Sequence, residues 1–484
     1  MDKDIRNLEP KALWNNFADL NAVPRASKKE ERAVAFIKDF ARKIGLEPVE
    51  DNAHNVIVRK PASPGMENRQ TVIMQSHLDM VHQKNSDTAF DFDTQGIDMY
   101  IDGDWVRARG TTLGADNGIG VATIMTILES RDIVHPPIEA LFTVDEETGM
   151  GGALGLEGGL LKGRILLNLD TEEDDEFNIG CAGGLDVTAS GSYHEESTPE
   201  GFGGYMLTVK GLNGGHSGMD IHKGLGNANK IMNRLLYNAF ESFGIRLAEL
   251  GGGSLRNAIP RESTALLAVP LNREKEFGEH IQNLAGDIRA EFKTTEPQLN
   301  IGMNKSELPG KVMDIASQTS LIKALYSAHN GVYRMSADIP DLVETSNNIA
   351  KVTVKDGQIT IACLTRSSVE SSKYDLGAAL RSAFELAGLE VIFSGAYPGW
   401  TPDVHSKILA LLTGIYEKQH GEKPRVIACH AGLECGIIGS KYPGMDMVSF
   451  GPTIKGAHSP DERAKIPSVR KYWELVLDVL KNIP

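Results

Sequence analysis

Cysteine is scarce in this chain. Four occur in 484 residues, Cys181, Cys363, Cys429 and Cys435, and none belongs to a CxxC pair. That usage excludes a disulfide frame and leaves each as an expected small buried hydrophobe in a reducing compartment. Long apolar runs are missing too: nothing approaches the roughly 20 residues that a membrane span needs. The opening MDKDIRNLEP carries acids and no apolar core segment, so no secretory leader is expected and the expected location is the cytoplasm. Basic residues are outnumbered, 50 Lys and Arg against 65 Asp and Glu, and the net charge of -15 argues against nucleic acid or an anionic membrane as a partner. Low-complexity tracts, short repeats and long linkers are also absent.

What is present is a chain too long for one ordinary core, so two or three domains are expected. Amphipathic patterns predict helices near Glu9–Leu20 and Lys28–Ile44. Apolar runs predict strands at Asn55–Arg59, Thr71–Gln75, Ile138–Val144 and Arg164–Leu169, with a helix at Ile119–Glu129 among them. This alternation indicates an α/β fold with a mostly parallel sheet flanked by helices. From about Leu185 to Gly395 the pattern changes to longer strands interleaved with helices, and near Tyr397 the earlier style returns. The expected organisation is a first domain in two parts, residues 1–185 and 396–484, with an α+β domain of residues 186–395 inserted between them.

Acids and histidines gather where the apolar runs end. TVIMQSHLDMV places His77 and Asp79 after one run, and TTLGADNGIG places Asp116 at the entry to a helix. LFTVDEETGMGG ends a run in three acids, Asp145, Glu146 and Glu147; RILLNLDTEED supplies Asp170; GAHSPD near the end offers His458. Each alone has an ordinary reading. A His-x-Asp pair can be a hydrogen-bonded surface pair, Asp116 a helix N-cap, His458 a turn residue, and the acids of Thr171–Glu176 a solvated loop. Together they recur at the strand ends where α/β folds build their sites. Imidazole nitrogens with carboxylate oxygens suit zinc, cobalt or manganese, and so many ligands suit two ions sharing a carboxylate.

SHLDMV, the GADNG turn, DEETG, the NLD strand end and GAHSP together resemble the co-catalytic zinc peptidases of the aminoacylase and carboxypeptidase-G type. GCAGG, GGHSGMDIHKGLGNAN, SLRNAIPRE and HAGLECG narrow the resemblance to the aminoacyl-histidine dipeptidase branch, over essentially the whole chain. The resemblance implies hydrolysis of unblocked Xaa-His dipeptides; an aminotripeptidase, carboxypeptidase or N-acyl-amino-acid deacylase is the alternative within the family. It implies two Zn2+, with Mn2+ or Co2+ as substitutes: His77 and Asp170 on one ion, Glu147 and His458 on the other, Asp116 as the bridge. It implies a cis peptide after Asp116, Glu146 as general base and Asp79 as the acid that orients His77. It gives His216 the role of oxyanion donor, reaching in from another subunit or closing as a lid, and makes His222 structural. Asn257 and Arg366 are expected to hold the substrate's carboxylate end, and Gly432 to allow close approach. His430 and Glu434 contact substrate or support their loop, and Asp145 supports its turn. A homodimer is implied, formed through the inserted lid and dimerisation domain, with a small peptide as substrate.

Overall fold

Val72–Met74, Ile138–Phe142 and Ile165–Leu167 are near-continuous apolar runs, which is how strands read when both faces of a parallel sheet are covered. In the computed structural model, which describes residues 4–484, they lie in the strands Val72–His77, Ile138–Thr143 and Ile165–Asn168, every residue of which is buried. Val72–His77 is central, parallel to the other two, and Asp446–Ser449 joins parallel on the far side of Ile165–Asn168. The eight-stranded sheet is completed by Pro48–Glu50 and Val56–Lys60, antiparallel on one side, and by Glu176–Cys181, antiparallel to Asp446–Ser449, with Arg425–Cys429 beyond it on the other. Because the four central strands run the same way, their carboxyl ends share one edge. His77, Thr143 and Asn168 are the last residues of three of them.

The chain forms two compact units. One comprises residues 1–180, 402–428 and 433–484; the other comprises 181–401 and 429–432. In the first, the helix Ala115–Glu129 lies on the Val72–His77 strand and buries nearly all of its residues, so it is apolar on every side. The second unit is built on a nine-stranded sheet that includes Val343–Lys355, Gln358–Ser367 and Gly183–Ser192 as antiparallel neighbours. The helices Ala228–Phe243, Glu274–Glu291, Ile315–Ser327 and Glu370–Glu385 close over a core that includes Leu235, Phe277, Ile361 and Phe384. Among the described residues, no helix is long and apolar enough to cross a membrane.

The structure adds two local details. The acids after Val144 open a short helix, Glu146–Gly149, rather than an irregular turn, and Asp145 precedes it in the left-handed region at φ 55°. The run Glu173–Glu176 is held by bases from distant segments: Lys455 on Glu173, Lys471 on Asp174, and Arg425 on Asp175 and Glu176.

Candidate metal centre

The first unit brings His77, Asp116, Glu147, Asp170 and His458 together. His77 ends its strand, and its Nε2 lies 3.2 Å from Asp116 Oδ1 and 3.4 Å from Asp170 Oδ1. His458 Nε2 lies 2.9 Å from Glu147 Oε2 and 3.4 Å from Asp116 Oδ2. The two oxygens of Asp116 therefore face different histidines. Within each of the sets His77–Asp116–Asp170 and Asp116–Glu147–His458, the donor atoms all lie within 4.8 Å of one another, as they do in His77–Glu146–Glu147. The peptide between Asp116 and Asn117 is cis, and the Asn117 side-chain amide donates to Asp170.

His77 is fixed from behind. Its Nδ1 sits 3.1 Å from the Asp79 carbonyl and 3.3 Å from Asp79 Oδ1. Both are acceptors, so Nδ1 donates on this side, and Nε2 is the nitrogen turned toward Asp116 and Asp170. Asp79 also accepts the backbone N–H of Glu146 at 3.0 Å and that of Glu147 at 3.2 Å, and the Ser27 hydroxyl at 2.8 Å. Asp145 points elsewhere: it pairs with Lys28 at 3.0 Å and accepts from the Thr148 hydroxyl.

The electrostatics are those of a basin prepared for positive charge. Hydrogen bonds from the His458 ring to the Asp116 and Glu147 carboxylates lift its pKa to about 11. Burial opposes a charge on His77, but Asp170, Asp116 and Asp79 outweigh it and raise its pKa well above the usual value. Burial, with Asp170, Glu434 and Glu147 nearby, lifts the Glu146 carboxyl far above the ordinary range. Glu147 Oε1 is buried without a hydrogen-bond partner. Two imidazoles, three carboxylates and an orphaned carboxylate oxygen fit a pair of borderline transition-metal ions, whose charge would replace the protons.

Buried groups from distant segments surround the centre. Glu434, 0% exposed, accepts from Gln75 at 2.6 Å and from Thr143 at 2.7 Å. Burial pushes its pKa up to about 8. Arg25 and Glu462 are buried against the turn that carries Asp116.

The second unit gathers a different set. His216 Nδ1 accepts the N–H groups of Gly218 and Met219 at 3.2 and 3.0 Å, so the neutral ring keeps its proton on Nε2. Burial, then Arg366, lowers its pKa and favours that neutral form. Nε2 faces Arg366 Nη2 at 3.5 Å, and two donors turned to one space suit an anion. Arg366 is buried, held by the Ser217 hydroxyl at 3.3 Å and the Tyr397 hydroxyl at 2.9 Å; sequence reasoning did not find Tyr397. The Asn257 carbonyl accepts from Ser217 N at 2.8 Å while its side chain is exposed, as is His222. Gly432 is half-buried in the 429–432 segment of this unit, and His430 Nε2 bonds Ser346 Oγ at 2.7 Å.

Residues 73–482 match the profile described as Peptidase family M20/M25/M40. The chain is 43% identical over 481 residues, 99% of each chain, to the cytosol non-specific dipeptidase of Escherichia coli K12. It superimposes on the aminoacylhistidine dipeptidase of Vibrio alginolyticus with a TM-score of 0.94 at 45% identity, covering 100% of this chain and 98% of the other. The aminopeptidase PepT of Bacillus cereus shares the fold at 16% identity and a TM-score of 0.58, over 98% and 99% of the two chains.

Proposed function

This chain belongs to peptidase family M20/M25/M40 and is a metal-dependent hydrolase, and from that premise we propose that it cleaves unblocked dipeptides, preferring histidine at the C-terminal position. Two full-length relatives support the dipeptide substrate, one named a non-specific dipeptidase and the other an aminoacylhistidine dipeptidase. The observation that carries the mechanism is the division of Asp116, one oxygen toward His77 and the other toward His458.

In this reading His77 and Asp170 would hold one ion, Glu147 and His458 would hold a second, and Asp116 would serve both. Zinc is the proposed ion, with manganese or cobalt as substitutes. When bound, such a pair lowers the pKa of a water toward ~7 and polarises the scissile carbonyl. Glu146 acts as the general base: it accepts the proton that water releases and returns it to the departing amine nitrogen. Asp79 keeps His77 in the tautomer with Nε2 free. His216 supplies a neutral Nε2–H to the developing oxyanion, and Arg366, with Asn257 and Gly432, receives the substrate's free carboxylate. The 186–395 segment serves as a lid and as the interface of a homodimer. The cytoplasm is the proposed location, supported by the name of the Escherichia coli relative.

The test is a rate panel of Xaa-His and other dipeptides, free and N-acetylated, after chelation and re-supply of zinc, manganese or cobalt. Activity is expected to vanish on chelation and return with metal, and to be highest on free Xaa-His dipeptides. Equal rates on N-acetylated substrates would assign a deacylase instead.

A further inference from the structure

Two buried charged side chains beside the centre take no part in these steps. Glu462 lies four positions beyond His458, and its carboxylate accepts four consecutive backbone N–H groups. Oε2 takes Leu113 at 2.7 Å and Gly114 at 2.9 Å; Oε1 takes Ala115 at 2.7 Å and Asp116 at 3.2 Å. Arg25 grips the same turn through one of its carbonyls, Nη2 donating to Gly114 O at 2.5 Å and to Asn21 Oδ1 at 2.8 Å. Its Nη1 donates to the carbonyls of Leu78 and Asp79 at 3.1 Å each. Gly114 has φ 70°, and a Cβ there would run into the Arg25 guanidinium and the Met80 sulfur, so the close approach needs glycine.

The turn 113–116 is thus tied to the segment that follows His77 by Arg25 and to the segment that carries His458 by Glu462. Asp116 stands where the two ties meet. We propose that Arg25 and Glu462 are positioning residues that fix the Asp116 carboxylate between the two half-sites, so that both ions meet a ready-made bridge. The inference rests on the two-ion reading above. Charge-assisted hydrogen bonds are roughly twice as strong as neutral ones, and a carboxylate offers acceptors on both oxygens. A glutamine at 462 would turn an NH2 group toward two of the four N–H donors and release half of the turn.

The experiment is a Co2+ titration of the metal-free full-length protein, followed by visible absorption and by chelator competition. Wild type is expected to take up two ions of comparable affinity. Glu462→Gln is expected to bind the first ion and weaken the second at least tenfold, so that a one-cobalt species with its own spectrum accumulates. Arg25→Lys keeps the charge but loses the planar fork that spans three carbonyls, and the same splitting is expected. Asp461→Asn, altering the exposed neighbour of Glu462, is expected to load as wild type does. Folding is followed by circular dichroism, and if Glu462→Gln does not fold, Arg25→Lys decides. Folded variants that load both ions as wild type does would overturn the positioning role while leaving the two-ion reading intact. Failure of both variants to fold would assign the pair to folding and overturn it too. A wild type that binds no ion would defeat the two-ion reading itself.

Discussion

Asp79 holds the backbone N–H groups of Glu146 and Glu147 on its two oxygens, at 3.0 and 3.2 Å, while Oδ1 also faces His77 Nδ1 at 3.3 Å. One carboxylate therefore fixes both a histidine and the turn that presents two acids. Asp79→Asn retains the shape but replaces one acceptor oxygen by an NH2 group, which opposes an N–H donor. The expected result is a 10- to 100-fold loss of metal affinity, a magnitude of about that order being usual for partners of ligating histidines. Chelator competition on the folded variant measures it.

Glu146 tests the assignment of the base. Glu146→Ala is expected to keep both ions and lose nearly all turnover, since proton transfer by a positioned group contributes roughly 100- to 10,000-fold. Metal content and kcat, measured on the same preparation, check both halves. Near-wild-type turnover would assign the base elsewhere.

His216 and Arg366 are expected to separate kinetically. Losing one donor to an oxyanion costs about 2.7–4 kcal/mol, so His216→Ala should lower kcat by roughly 100- to 1000-fold. Arg366→Lys keeps a charge but loses the fork held by Ser217 and Tyr397, and should raise KM for free dipeptides more than it lowers kcat. C-terminally amidated dipeptides, which lack the carboxylate, should be nearly indifferent to that second change.

The fold and the residues that gather at the candidate centre were legible because their signals are local. The runs at Val72–Met74 and Ile165–Leu167 are long enough in branched and long apolar residues to mark strands, and His77 and Asp170 follow at their ends. Asp116 and His458 stand in glycine-marked turns. Glu462 was not legible. Its partners are backbone N–H groups up to 349 positions away, which any sequence could offer. Arg25 bonds mostly to carbonyls, and Glu434 meets Gln75 across 359 positions. A contact between a side chain and distant backbone leaves no residue-type pattern, so only the folded chain displays it.

His430 gives a pH prediction from the second unit. Its imidazole is buried, and burial first, then Arg366 and the neighbouring histidines His216 and His222, lowers its pKa to about 3. An unfolded histidine takes up its proton near pH ~6.5. Between these values the unfolded chain binds more protons at this ring than the folded chain, so stability rises with pH across the window. The contribution is complete above pH ~6.5 and is lost as acid carries the pH down toward 3, by at most about 1.4 kcal/mol per pH unit. His430→Gln removes the titrating ring while leaving a polar group for Ser346 Oγ, its partner at 2.7 Å. The melting temperature of wild type is therefore expected to fall more steeply between pH ~6 and ~4 than that of the variant. Parallel slopes would mean that the ring accepts its proton in the folded state as readily as in the unfolded one.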